Sequence, residues 1–128
     1  MIKKVLVDSC IWIDFFGRNH KKELIAKISE DHLLCVNDAI LSEVLPYLLH
    51  QKENRAADLL ASQNKIPISI IWPDIIALQV RMIKAGINKV GVLDLIILQN
   101  AIQNRCAISS IDKHFRLMCN EVDIPLID

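Results

Sequence analysis

A chain of 128 residues that is 52% apolar and 23% charged has the composition of one folded domain, which we predict over residues 1–128. Lysine plus arginine equals aspartate plus glutamate at 15 each, which excludes a strongly basic chain and leaves any attraction to phosphate to local patches or bound metal. The longest apolar runs, 66–72 and 92–98, are too short to cross a bilayer, and Asp8 and Asp14 interrupt the apolar core that a signal peptide needs, so we expect a cytoplasmic protein without membrane association.

Strand-like and helix-like patterns alternate through the first half of the chain. Residues 4–8 are rich in valine and leucine and apolar on both faces, as a buried parallel strand is, and residues 33–36 form a second short run. Pro46 must kink the helix predicted around it or reset its start, because proline removes a helical donor. Helices are expected over 10–16 with an end at Gly17, over 21–30, over 39–50 and over 54–63.

The second half of the chain continues this alternation. Residues 66–71 predict a third strand, placed at an edge of the sheet because Pro67 lacks a backbone donor. The elements expected after it are a helix from Pro73 to Gly86, a helix over 92–104, a strand over 106–109, a short helix over 113–118 and an extended stretch over 122–127. Strands that alternate with helices predict an α/β fold, a three-layer α/β/α sandwich around a mainly parallel central sheet.

Two aspartates come after predicted strands, where parallel sheets place their sites. Asp8 follows the first strand and Asp112 follows the fourth. Each also precedes a helix, so either can simply cap that helix by accepting amide hydrogen bonds, and Ser110 is a second candidate for the cap of the last helix. A phosphotransferase that uses a strand-end aspartate needs a second acid two positions later, and Cys10 occupies that position.

Asp94 and Glu43 lie in early turns of apolar helices. At about 100° per residue, Asp94 falls on the apolar side of its helix. The polar side chains that mark the opposite face are Gln99, Asn100 and Gln103. A lone carboxylate on an inward face is costly and needs a cation, a metal or protonation. The alternative for both acids is a helix position where the helix dipole stabilises the charge by about 0.3–1 kcal/mol.

The four acids together are more informative than any one of them. In a parallel α/β fold, Asp8, Glu43, Asp94 and Asp112 can converge at one end of the sheet. Two ionised carboxylates about 4 Å apart repel by roughly 4 kcal/mol at an effective dielectric constant of 20. Mg²⁺ or Mn²⁺ relieves such repulsion, since hard divalent cations prefer oxygen ligands. The cluster therefore predicts metal-assisted phosphoryl chemistry.

Four motifs, in order, resemble those of the PIN-domain family, and in particular the toxin half of a VapC-type toxin–antitoxin pair. LVDSCIWID resembles the amino-terminal motif, LSEVL the second, DLIILQNA the third and SSIDKHF the fourth. Ser110 stands where threonine is more usual, and Ile97, Leu98 and Gln99 are bulkier than the alanines common in the third motif. The resemblance spans essentially the whole chain.

The resemblance implies an endoribonuclease that hydrolyses RNA phosphodiesters with Mg²⁺ or Mn²⁺ as its cofactor. The residues it makes both catalytic and metal-binding are Asp8, Glu43, Asp94 and Asp112. Ser9 would orient Asp8 or a metal-bound water without binding the metal itself, and Ser110 would do the same near Asp112. His114, beside Asp112, is expected to be only an exposed or packing residue.

The resemblance also implies partners: an RNA substrate, a second copy of the chain in a homodimer, and an antitoxin protein whose segment occupies the active-site groove. Helices over 21–28 and 39–50 are candidates to line that groove. Trp12, Phe15 and Phe16 suit the core or a dimer interface better than base stacking. Four basic residues near the acids are candidate RNA contacts, although each also suits a solvated surface: Lys84, Lys89, Lys113 and Arg116.

Other functions compete with the nuclease. A PIN-fold scaffold could bind RNA or protein without cutting, although four intact acids argue against it. An aspartyl-phosphate receiver or phosphatase with Asp8 as nucleophile lacks its second acid. The cysteines could form a zinc site with histidines, but they have no paired ligand spacing, and Cys35 and Cys106 fit core positions as reduced thiols.

Overall fold

The central sheet consists of short strands, and side chains on both faces of its inner strands are buried. The computed structural model describes residues 2–128, so Met1, the first residue of the predicted domain, lies outside the described residues. The strands are β1 (Val5–Val7), β2 (Leu34–Val36), β3 (Asn64–Lys65), β4 (Ala107–Ser109) and β5 (Leu126–Ile127). Each of the four strand pairs is parallel. Burial on both faces explains why the inner strands are apolar throughout instead of alternating.

Seven helices within residues 2–128 flank this sheet, which confirms the predicted three-layer α/β/α sandwich. They are α1 (Ser9–Phe16), α2 (Lys22–Glu30), α3 (Asp38–His50), α4 (Asn54–Ala61), α5 (Trp72–Lys84), α6 (Val92–Asn104) and α7 (Lys113–Val122). None of these helices is both long enough and apolar enough to span a membrane. The side chain of Trp12 is buried in the core, where its ring stacks on Phe16 at 5.8 Å between centroids.

The strand order is β3-β2-β1-β4-β5, so the chain changes direction within the sheet at β1. From β1 it moves outward through β2 to β3, and it then returns to the other side of β1 as β4. The crevice beyond the carboxyl ends of two such strands is where open α/β sheets bind ligands. Val7 lies opposite Ser109 in the register, so the residues that follow β1 and β4 meet at this crevice.

Pro46 does not restart the helix around it. α3 is continuous from Asp38 to His50 and begins one residue before the predicted start, because the Asn37 side chain caps it by accepting a hydrogen bond from the Ile40 amide at 2.9 Å. Proline cannot supply the amide that would bond the Ser42 carbonyl one turn back. The remaining bonds and the burial of Val44 and Leu48 keep the helix intact.

The predicted third strand over 66–71 is wrong. β3 contains only Asn64 and Lys65. The Ile66 amide still donates to the Val36 carbonyl of β2 at 2.8 Å. The pairing with the sheet ends there, because Pro67 has no amide hydrogen to donate. Side chains of α6, and not a neighbouring strand, form hydrogen bonds with the backbone of this segment. Gln99 bonds both the amide and the carbonyl of Ile71, at 3.2 and 3.1 Å, and Asn100 donates to the Pro67 carbonyl at 3.0 Å.

Two of the three side chains on the polar face predicted for α6 are buried instead of facing solvent. Gln99 and Asn100 are only 4% and 1% exposed, and Gln103 also turns toward the 66–71 segment, donating to the Ser69 carbonyl at 3.0 Å. Buried side-chain amides are tolerated when they are hydrogen-bonded. The middle of α6 can therefore be buried on most of its circumference and still carry Gln99 and Asn100. The pattern of polar residues therefore marked a contact with another segment of the chain.

The end of the chain also differs from the prediction. α7 continues to Val122, four residues beyond the predicted end at Met118, and stops where Asp123 adopts a left-handed conformation with φ of 58°. The extended stretch predicted over 122–127 is therefore reduced to Leu126 and Ile127, which pair with β4.

We predict that α6 stabilises the fold mainly through its buried apolar side chains. Ile97→Ala removes a side chain that is 0% exposed and should lower the free energy of unfolding by about 2–5 kcal/mol, through lost burial and the cavity left behind. Ile102→Ala, at a position on the same helix that is 41% exposed, is the matched control and should cost less than about 1 kcal/mol. Urea denaturation measures both, and equal losses would contradict the packing described for α6.

Candidate active site

Asp8 is a buried carboxylate at the carboxyl end of β1. Its amide donates to the Ser109 carbonyl at 2.9 Å, and its own carbonyl accepts from the amides of Ile11 and Trp12, which starts α1. Its side chain makes no helix-capping hydrogen bond, unlike the capping alternative considered for it. The carboxylate, 4% exposed, instead receives the Ser110 hydroxyl at 2.9 Å from the end of β4.

Ser110 connects Asp8 to Asp112. The amide of Asp112 donates to the Ser110 hydroxyl oxygen at 3.0 Å, and that hydroxyl in turn donates to Asp8, so its orientation is fixed from both sides. Asp112 does cap α7, since its Oδ1 accepts from the His114 amide at 2.7 Å. Capping α7 leaves Asp112 free to contribute to the site, because its second carboxylate oxygen is not needed for the cap and its side chain is about half-exposed.

Glu43 and Asp94 reach the same place from α3 and α6. Partial desolvation raises the pKa of Glu43 although much of its side chain stays exposed, and the charges of Asp8 and Asp94 raise it further. Burial likewise raises the pKa of Asp94, followed by the charges of Asp8 and Asp112, while His114 opposes them. The two helices therefore bring a carboxylate each to the acids that follow the strands.

Several acidic side chains are concentrated at this end of the sheet. Burial is the main reason that the pKa of Asp8 is raised, and the Asp112 charge adds to it, whereas hydrogen bonds from Ser9, Ser110 and Cys10 lower it. Within residues 2–128, no three acidic, histidine or cysteine side chains stand close enough to one another to hold a metal ion as they are. The charges of neighbouring acids nevertheless raise the pKa of Asp8, Glu43 and Asp94, and such a set of carboxylates suits a hard divalent cation, which would neutralise them.

Ser9 and Cys10, at the start of α1, both face this cluster. A hydrogen bond from the Ser9 hydroxyl lowers the pKa of Glu43, and one from the Ser9 amide lowers the pKa of Asp8. The hydroxyl therefore acts on Glu43 and not on Asp8, the residue next to it in the chain. The Cys10 thiol lies 3.4 Å from Asp8 Oδ2 and 3.3 Å from the Ser110 hydroxyl. Sequence reasoning missed Cys10 as a member of the site, and its position two residues after Asp8 was the only signal available.

The four basic candidates are dispersed. Lys113 begins α7 and adjoins Asp112 in the chain, and Lys89 lies with a left-handed φ of 62° in the loop before α6. Arg116 forms an ion pair with Asp128, so its charge is already engaged. Lys84 ends α5 in a surface depression that it shares with Arg81 and Glu121. Of these four residues, Lys113 is the one that directly adjoins an acid of the cluster in the chain.

The cysteines give no support to a zinc site. Cys35, Cys106 and Cys119 are buried free thiols, and Cys10 is a partly buried one. Burial raises the pKa of Cys106 to about 11 and that of Cys119 to about 12, so both remain protonated at neutral pH and are poor metal ligands.

Comparison with known proteins yields a consistent set of matches. A family model described as PIN domain matches residues 5–121. Among solved structures, VapBC2 from Rickettsia felis bound to a promoter DNA fragment has a TM-score of 0.77 at 15% identity and covers 99% of this chain and 98% of its own. DNA-bound VapBC from Salmonella typhimurium gives 0.73 at 13% identity, covering 100% and 98%. A toxin–antitoxin complex from Klebsiella pneumoniae gives 0.64 at 25% identity, covering 88% and 90%. No curated relative matches the chain.

We predict that neutralising Asp94 does not weaken the metal-free protein. An acid whose pKa is raised by folding contributes stability at low pH that is lost as the pH rises through that raised pKa, because the folded state then holds an ionised group it disfavours. In metal-free buffer at pH about 7, Asp94→Asn should therefore melt at the same temperature as the wild type or higher.

The gain should shrink as the pH falls toward about 4, where the carboxylates of the wild type become protonated. Asp58→Asn, which removes an exposed acid of α4 outside the cluster, is the matched control and should show no such pH-dependent gain. Thermal melts in a chelator measure all three proteins. A clear loss of stability in Asp94→Asn would mean that this carboxylate has a stabilising partner in the folded protein.

Proposed function

Since the chain belongs to the PIN domain family, we propose that it is an endoribonuclease dependent on Mg²⁺ or Mn²⁺, and the toxin of a type II toxin–antitoxin pair. RNA as its substrate implies a cytoplasmic protein. The observation that carries this proposal is electrostatic contact between acids of separate elements beyond β1 and β4: the charge of Asp8 raises the pKa of both Glu43 and Asp94, and that of Asp112 raises the pKa of Asp8.

We assign the cation to the carboxylates of Asp8, Glu43, Asp94 and Asp112. When bound, the cation supplies Lewis acidity that activates water and stabilises negative charge on the phosphodiester. The raised pKa values support this assignment, because ionised carboxylates that repel one another gain most from a cation. Oxygen-only ligands favour Mg²⁺ or Mn²⁺ over zinc.

Other residues of the chain hold the ligands in place. Ser110 keeps the Asp8 carboxylate in one orientation, and the Asp112 amide keeps the Ser110 hydroxyl turned toward it. Ser9 lies by Glu43 and supplies a hydrogen bond to its ionised form. Such supporting hydrogen bonds typically change metal affinity or activity by about 10- to 100-fold.

RNA would reach this site through local charge, since the chain as a whole is neutral. Lys113, at the amino-terminal end of α7, is the basic side chain we favour for a phosphate contact, because it adjoins Asp112 and has no ion pair among the described residues. Lys84, Lys89 and Arg116 are weaker candidates, the last because Asp128 already engages it.

Two protein partners belong to the proposal. An antitoxin segment would lie along α2 and α3, where Tyr47 and Leu49 expose apolar surface at the end of α3. A second copy of the chain would pack on α5, which exposes an apolar stripe at spacings of one helical turn: Trp72 (55%), Ile76 (64%), Val80 (45%) and Ile83 (58%). Such a stripe pairs with itself about a two-fold axis, with Trp72 opposite Ile83 and Ile76 opposite Val80.

The nuclease proposal predicts cleavage of RNA only by the metal-loaded wild type. Asp94→Asn removes one ligand charge and should lower the rate by more than about 100-fold, the upper end of what losing even a supporting group costs. The measurement is cleavage of a mixed RNA pool with Mg²⁺, with Mn²⁺ and with chelator, beside Mn²⁺ binding by titration calorimetry. Asp58→Asn controls for loss of an acid outside the cluster.

The outcomes separate the nuclease from its alternative. Cleavage that survives in folded Asp94→Asn, or in chelator, would reject the role assigned to that carboxylate or reveal a contaminating nuclease. A folded wild type that neither binds Mn²⁺ nor cleaves would reject the nuclease in favour of a non-catalytic scaffold.

The dimer proposal predicts that a charge on the α5 stripe separates the copies. Ile76→Lys places an ammonium at the centre of the stripe, where burial against a partner would be costly, and should yield monomers in analytical ultracentrifugation. Leu59→Lys is the matched control, since Leu59 is an exposed apolar residue of α4 outside the stripe, and should leave the dimer intact. A monomeric wild type, or a dimeric Ile76→Lys, would contradict this interface.

A further inference from the structure

We propose that the buried hydrogen bond between Asn37 and Asn100 is a positioning device that fixes the register of α3 against α6, and with it the separation of the Glu43 and Asp94 carboxylates. This inference rests on the proposed function, because it concerns how the two helices present ligands to a divalent cation. Neither asparagine belongs to the acidic cluster itself, and the sequence motifs did not single out Asn37.

The bond joins two helices deep in the core. Asn37 Nδ2 donates to Asn100 Oδ1 at 2.9 Å, and the two residues are 0% and 1% exposed. Both amides are also held by other groups. Asn37 Oδ1 accepts from the Ile40 amide and so is fixed to the first turn of α3, while Asn100 Nδ2 donates to the Pro67 carbonyl. A buried polar pair with its partners satisfied has one favourable geometry, unlike apolar contacts, which tolerate sliding.

The acids lie at the far end of the same helix pair. Glu43 is six residues after Asn37 on α3, and Asp94 is six residues before Asn100 on α6. The amide pair and the acid pair therefore occur in opposite order along the two helices. A shift of α3 along α6 that broke the amide bond would move the carboxylates relative to each other by a similar distance.

The interactions at the two ends of the α3–α6 pair have opposite signs. At one end, Glu43 and Asp94 stand on helices that pack against each other, and their like charges repel when both are ionised. At the other end, the amide bond is attractive and excluded from water. Among the described residues, the hydrogen bond between Asn37 and Asn100 is the polar side-chain contact between these helices, and without a cation it opposes separation of the carboxylates. Proteins use single buried asparagines in this way to specify helix register.

Asn37→Ser is the sharpest test, because serine can still cap α3 but is too short to reach Asn100. We expect the dissociation constant for Mn²⁺, measured by titration calorimetry, to rise about 10-fold, the scale on which supporting contacts act. Asn100→Leu should do the same. Gln99→Leu is the matched control: it also removes a buried α6 amide that binds the 66–71 segment, but one that bonds Ile71 instead of α3, and its Mn²⁺ affinity should stay near the wild-type value.

RNA cleavage at rising Mn²⁺ concentration supplies a second readout. A positioning role raises the half-saturating Mn²⁺ concentration, and excess metal restores the rate. A merely structural role would lower the rate at every Mn²⁺ concentration without moving the half-saturation point, and that result, or unchanged Mn²⁺ affinity in folded Asn37→Ser, would overturn the inference. Failure of the wild type to bind Mn²⁺ is a different result, which rejects the proposed function first.

If neither variant folds, the wild type decides the question by NMR. The side-chain amide protons of Asn37 should exchange slowly with solvent in both metal-free and Mg²⁺-loaded protein, because the hydrogen bond holds before the cation arrives. Rapid exchange in the metal-free protein would show that the bond does not resist carboxylate repulsion, and the inference would fall.

Discussion

The negative charge gathered beyond β1 and β4 is the constraint on which the rest of the structure depends. Asp8, Glu43, Asp94 and Asp112 belong to or adjoin separate elements, and burial and neighbouring negative charge raise the pKa of Asp8, Glu43 and Asp94. The surrounding core offsets this cost, since the inner strands, Trp12 and the middle of α6 are buried. The proposed cation would neutralise these charges, so the raised pKa values and the proposed metal site have one physical origin.

The sheet was largely predictable from the sequence because strand and helix leave different apolar periods, and a parallel sheet covered on both faces makes its strands apolar throughout. Asp8 and Asp112 could be placed at the site for a related reason, since the residues after parallel strands share one edge. Asp94 was predicted on a partly mistaken argument. Its neighbours Gln99 and Asn100 were read as a solvent face, yet both are buried. An amide that faces water and an amide that binds a distant carbonyl look the same in a single sequence.

The elements that the sequence failed to predict were those decided by contacts between distant residues. Residues 66–71 have the composition of a strand, but Pro67 and the α6 side chains direct their backbone bonds away from the sheet. Pro46 suggested a break that the cap at Asn37 and the buried side of α3 override. Cys10 lies among the acids through a contact with Ser110, 100 residues away, which no local pattern encodes. Local propensity cannot report such partners, and tertiary contacts outweigh it where they are strong.

The parallel pairing of β1 with β4 also governs when the acids that follow these strands can come together. Asp8 is synthesised before Ser110, which orients its carboxylate and lies 102 residues later. The centre of the sheet is therefore closed by one of the most distant contacts in the chain, and contacts of such high sequence separation form late and slow the folding rate. A nascent or truncated chain can form its early helices while its acids remain apart. Translation of the segment between β1 and β4 is thus a built-in delay between the appearance of Asp8 and the assembly of the acidic cluster.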